Sequence, residues 1–249
     1  MRHLARGECG DDLTRTATLP AIVAEPMNHA PIVRPVFTGR SRWAAAVVLV
    51  TGTLLQVIEF LLGDAPDDNA ARVAFWAEHP SRIDLSMVSG MLAVPFLIGG
   101  FAVLVALTRA RSPRLAWTAG TFLTFAMVGL AVVHGYELAA YGLTRSGDLA
   151  AATAALNGDH LGLPGVVFFV MFLGGAILGT LALAAAVWRS PLVPRIVAVC
   201  ILAFAVLDFA LGQGVVGHLV NLAGFAIAAV AVVAGYSRQP RADAQQVLP

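Results

Sequence analysis

Residues 164–188 read PGVVFFVMFLGGAILGTLALAAAVW, and this stretch decides the fold. No charged side chain interrupts it. At 1.5 Å of rise per residue it exceeds the roughly 20 apolar residues of helix that cross a hydrocarbon core of about 30 Å. Pro164 suits a first helical turn, where its missing N–H costs nothing. Five more stretches share this character: 43–62, 85–107, 115–138 (continuing toward Tyr141), 194–211, the shortest, and 214–236. Buried helices of a water-soluble protein keep a polar face, and these have almost none. The expected fold is therefore all-α, a polytopic membrane bundle with six transmembrane helices. Composition agrees. The chain of 249 residues is 58% hydrophobic and 12% charged, where a soluble domain carries about 25% charged residues. That excludes an ordinary cytosolic enzyme and a disordered chain. A net charge of +1 excludes a nucleic-acid binder, which needs a basic excess.

Arginine placement sets the expected orientation. All 16 basic residues are arginine, and 13 fall on one side: the N-terminal tail, 108–114, 189–195 and the C-terminal tail. Only Arg72, Arg82 and Arg145 fall on the other. Both termini are thus expected in the cytoplasm, with the chain in a bacterial inner membrane. Trp43, Trp117, Trp188 and Tyr236 stand near the inner span ends as interfacial anchors. Residues 1–42, with Pro20, Pro26, Pro31 and Pro35, read as a flexible tail, and 237–249 as a second tail. Cys9 and Cys200 lie in unlike surroundings and are not expected to pair.

In the first outer loop, Asp67-Asp68-Asn69 is expected to cap a short helix through Ala77, with Pro80 following. Its Val73, Phe75, Trp76 and Ala77 suggest a helix lying at the membrane surface. In the second loop, Asp148 is expected to cap an alanine-rich helix ended by Asn157-Gly158. Within the spans, Gly175 and Gly179 form a small-xxx-small pair, and Gly214, Gly217, His218, Asn221 and Gly224 share one face. Such faces serve close helix packing. The ionisable positions of the two halves do not match, so an inverted repeat is not supported.

No phosphate-binding loop, HExxH, CxxC or GxSxG motif is present. The chemistry-bearing residues are those inside the spans: Glu59, His134, Glu137, Asp208 and His218. Charges in a bilayer are costly and point to function by default. Glu59 and Asp208 lie roughly 4–5 Å from the outer span ends, His134 and His218 roughly 6 Å, and Glu137 at the end itself. All five fall in one outer layer. Gln56 and Asn221 sit one turn deeper on the faces of Glu59 and His218, and Tyr141 continues the face of His134 and Glu137. Glu78-His79, Asp84 and Asp159-His160 are placed to reach the layer from above.

Three readings compete for this layer. In the first it is structural, its acids paired with Arg82 or Arg145 or hydrogen-bonded to Tyr136 or Tyr141. In the second it is a metal or haem site of a membrane oxidoreductase, using His134, Glu137, His218, Glu59 and Asp208, since imidazole with carboxylate suits zinc, iron or manganese. The order His134-x-x-Glu137 reverses the Glu-x-x-His of di-iron bundles. In the third it is a polar pocket for a small ligand, a lipid head group or a proton-coupled solute. A complete channel is disfavoured, because no ionisable group lies deeper. No motif requires a cofactor. The partners this architecture admits are the lipid bilayer, a small ligand at the outer face, a second copy of the chain, or another membrane protein.

The acidic first loop ending Glu78-His79-Pro80-Ser81-Arg82 and the inner turns TRARSPR (108–114) and RSPLVPR (189–195) resemble those of uncharacterised six-span membrane proteins of high-GC actinobacteria. The resemblance spans about Arg42 to Arg238 and implies architecture alone.

Overall fold

The computed structural model describes residues 36–158 and 162–236. The two tails, apart from 36–42, and Asp159-His160 lie outside the described residues. Every element is helical: α1 (Arg40–Gly63), α2 (Asn69–Glu78), α3 (Pro80–Thr108), α4 (Pro113–Arg145), α5 (Leu149–Leu156), α6 (Gly162–Arg189), α7 (Arg195–Ala205) and α8 (Gly214–Ala234). Five of them, α1, α3, α4, α6 and α8, are long and apolar enough to cross a membrane. The predicted span 194–211 takes a different form. Its α-helix has 11 residues and passes into a π-helical turn, Val206–Ala210. The Leu211 amide donates to the Val206 carbonyl (3.1 Å), the wider i→i+5 spacing of a π turn.

The six longer helices pack in a closed ring. In order the neighbours are α1, α3, α4, α6, α7 and α8, and α8 packs back on α1. Their outward faces are apolar, with Val47, Leu92, Phe169, Val170 and Val230 all exposed. A soluble monomer does not expose so continuous an apolar surface. Trp43 and Trp117 are each 64% exposed at the end where the α3–α4 and α6–α7 turns lie, as interfacial anchors would be.

That end of the ring is apolar. Leu49, Leu104, Leu183, Ile201 and Phe225 are among its largest packed side chains. Its turns are tied down by polar groups. The buried Ser190 hydroxyl donates to the Leu107 carbonyl (3.0 Å) and accepts from the Leu192 amide (3.2 Å), joining the α6–α7 turn to the end of α3.

The opposite end is covered by α2 and α5. Asp68 caps α2 by accepting from the Ala71 amide (2.8 Å), and Asp148 caps α5 by accepting from Ala151 (3.0 Å), as the sequence leads one to expect. The two short helices touch through Asn69 and Asn157, whose amide groups hydrogen-bond at 2.9 Å. The apolar face of α2 packs against the end of the ring. Val73 and Trp76 are buried, and Trp76 packs edge-on to Tyr141 of α4 at 6.0 Å. Trp76, Ile83, Ala140 and Tyr141 form a small core of their own, which uses the apolar face of α2. Arg82 does not pair with an acid of the layer. Its guanidinium donates to the carbonyls of Leu62 (2.7 Å), Leu61 (3.2 Å) and Asp64 (3.4 Å). It thereby satisfies carbonyls that the end of α1 leaves open.

Close approach of backbones holds the ring. A Cβ on Gly175 would fall 2.6 Å from the Phe122 carbonyl oxygen, and one on Gly129 equally close to that of Phe168. A Cβ on Gly179 would meet the Leu123 side chain at 2.7 Å. α4 and α6 therefore touch backbone to backbone along the predicted small-residue stripe. On α8, Gly217 lies against Asp208 and Gly224 against Cys200, so its small face packs on α7 and the π turn. Gly175→Ala should lower the thermal unfolding midpoint of the purified protein, at a cost of about 1–3 kcal/mol from overpacking. Gly174→Ala, where a Cβ meets nothing within 4 Å, should leave the midpoint unchanged.

Candidate functional site

Where α2 and α5 cover the ring, its interior is not filled. A cavity of about 230 Å³ lies there, and all six longer helices contribute to its wall. Glu59, His134, Glu137, Asp208 and His218 all line it, with Gln56 and Asn221. Residues drawn from positions 56 to 221 of the chain are thus brought to one space. The rest of the wall is apolar, including Leu97, Phe101, Met127 and Phe172.

Two polar groupings face the cavity. The first joins α1 to α4. His134 Nδ1 lies 3.5 Å from Glu59 Oε1 and 3.5 Å from Glu137 Oε2. Helical spacing i, i+3 brings His134 and Glu137 together, and α1 supplies Glu59 from across the ring. Room for the Glu59 carboxylate comes from Gly90 of α3, where any Cβ would overlap it. One ring nitrogen thus serves two carboxylates, with no arginine lining the space.

The second grouping joins the π turn to α8. His218 Nε2 lies 3.7 Å from Asp208 Oδ1, beyond hydrogen-bonding distance. The His218 ring is 3% exposed and packs against Phe60 of α1 (ring centroids 4.0 Å apart) and Phe204 of α7 (5.2 Å). Among the described residues, neither of its ring nitrogens has a hydrogen-bond partner. A neutral imidazole has one donor and one acceptor to satisfy, and a buried unmet polar atom costs about 1–3 kcal/mol. Asp208 owes its place to the π turn, which packs against α8 at Gly217. π turns inside α-helices recur at functional sites.

Tyr141 is not brought into the cavity. Its hydroxyl donates to Asp84 Oδ1 (2.9 Å) and lies 3.0 Å from the Pro80 carbonyl, fixing the start of α3 to α4. Tyr136 likewise donates to the Ala155 carbonyl at the end of α5 (2.6 Å). His79 is exposed and stacks on Phe75, 4.4 Å between centroids. The acids of the layer therefore pair with neither the tyrosines nor Arg82. Sequence reasoning missed the π turn, the glycine at 90 and the phenylalanines. Phe60 and Phe204 were open to inference, the first beside Glu59 and the second one turn before Asp208.

The described residues contain no group of three or more His, Cys, Asp or Glu placed to hold a metal ion. The cavity is also smaller than the roughly 300–1,000 Å³ of drug-sized ligand sites, too small for a porphyrin. A second, larger hollow of about 380 Å³ lies between α3 and α4, against Ile98, Val105, Trp117 and Phe125. It has no ionisable group in its wall.

Two stability measurements test the groupings. A double-mutant cycle on Glu59→Gln and His134→Gln should return a coupling within the range of roughly 0.5–3 kcal/mol seen for contacting residues; additive effects would mean the pair does not interact. His218→Phe should raise the stability of the purified protein by about 1 kcal/mol or more, because it removes two unmet buried nitrogens from an aromatic box.

Compared with known protein families, curated proteins and solved structures, the chain matches none, and its function is read from the cavity itself.

Proposed function

We propose that this protein is an integral membrane protein that binds a small ligand in the cavity between its six longer helices. One observation carries this reading: five ionisable residues on α1, α4, the π turn and α8 line a single space. Burying acids and imidazoles without full hydrogen bonding reduces stability, and a protein keeps that arrangement where it serves function. In this reading the chain crosses the membrane six times, α7 and its π turn making the sixth crossing. Both termini are cytoplasmic, and the α2–α5 end with its cavity faces outward, toward the side poor in arginine. A small polar molecule or the head of a lipid reaches the cavity from that side. The site works by binding, since the cavity wall holds hydrogen-bonding groups but no nucleophile–base–orienter set of the kind that covalent catalysis uses.

Thiol labelling tests both orientation and access. Cys9 and Cys200 are replaced by serine, and Val133→Cys places one thiol on the cavity wall beside His134. In intact cells a membrane-impermeant maleimide should label this cysteine. A cysteine at Ser190, buried at the opposite end, should stay unlabelled. A reporter fused to the C-terminus should show a cytoplasmic location. Labelling at Ser190 but not at Val133, or a C-terminus outside the cell, would overturn this arrangement.

A further inference from the structure

We propose that the ligand is an organic amine, bound as its ammonium on a short apolar body; this rests on the binding role proposed above. The charge of the wall sets the sign. Glu59, Glu137 and Asp208 face the cavity, and no arginine does. A phosphate or carboxylate head would meet three acids and no fixed positive charge. A cation meets acids whose nearest partners are single imidazoles, at 3.5 Å for Glu59 and Glu137 and 3.7 Å for Asp208.

A second observation points independently to a bound donor. His218, although 3% exposed, lacks any hydrogen-bond partner at either ring nitrogen. An ammonium N–H brought to the gap between His218 and Asp208 supplies a donor to the acceptor nitrogen and a counter-charge to the carboxylate. Asn221, one turn further along α8 and also buried, lines the same cavity and offers a further acceptor.

The remaining wall selects the head and the body. Phe60, Phe101, Phe172, Phe204 and Phe209 line the cavity, and aromatic faces attract cations more strongly when water is excluded. A volume of about 230 Å³ suits a single ring or short chain. The apolar body meets apolar side chains: Leu97, Met127 and Leu130 stand in the same wall as the acids. An amphiphile in the cavity keeps its apolar part against these while its head meets the acids.

The test uses the full chain in phosphatidylcholine nanodiscs, with empty nanodiscs subtracted. Four probes are titrated at neutral pH: 4-phenylbutylammonium, 4-phenylbutanol, 4-phenylbutyrate and tetramethylammonium. The expected result is that 4-phenylbutylammonium binds at least tenfold more tightly than each of the other three and raises the thermal midpoint. Asp208→Asn and Glu59→Gln should each weaken its binding at least tenfold while leaving the affinity for 4-phenylbutanol within twofold. Equal binding of the alcohol, or tighter binding of the butyrate, would overturn the cationic head. Equal binding of tetramethylammonium would overturn the apolar body. If none of the four binds while Val133→Cys is labelled from outside, this proposal fails and the open cavity stands. The wild-type series decides the matter even if a variant does not fold.

Discussion

Helices that are apolar on every side gain little from hiding from lipid, so their association depends on how closely their backbones approach. In this chain that constraint is met first between α4 and α6, where Gly129, Gly175 and Gly179 leave no room even for a Cβ. The register it fixes along α4 places His134 and Glu137 on the inner wall, across from Glu59. Gly90 then leaves the space that the Glu59 carboxylate fills. Gly217 does the same for the π turn that carries Asp208. The polar groupings are therefore set by glycines on neighbouring helices as much as by the acids and histidines themselves.

The ring is unequal along its length. At the α3–α4 turn end it is packed with leucine, valine and alanine, and the buried hydroxyls of Thr108 and Ser190 donate to backbone carbonyls. Toward the α2–α5 end the same helices enclose a cavity, and Glu59, His134, Glu137, Asp208 and His218 gather on its wall. One end supplies cohesion. The other carries groups that reduce it, above all the unmet nitrogens of His218.

Much of this was legible in the sequence, and the reasons are specific. Long apolar runs set five helices, because nothing in them offers an alternative to a helix; four agree within five residues at each end, and α4 runs seven residues past the expected 138. The shared depth of Glu59, His134, Glu137, Asp208 and His218 follows from counting residues to the span ends, and that count places them on one cavity wall. Tyr141 was misplaced because it continues the face of His134, yet α4 runs on to Arg145 and carries the ring past the cavity to Asp84. The π turn left no trace, since Val206–Ala210 reads as ordinary helix and only packing against α8 distinguishes it. The aromatic box around His218 was hidden for another reason: Phe60 and His218 are far apart in the chain, and the closure of the ring by α8 on α1 brings them together.

α7 and its π turn together make 16 residues, set in a ring whose other members have 21 to 33. At 1.5 Å per residue it reaches at most ~24 Å, short of a hydrocarbon core of about 30 Å. A bilayer meets so short an element by thinning beside it, at a cost of fractions of a kcal/mol per Å. In the six-crossing reading proposed above, head groups and water then sink toward Asp208, the acid at the end of that helix, and hydrophobic mismatch becomes the means by which the cavity meets the aqueous phase.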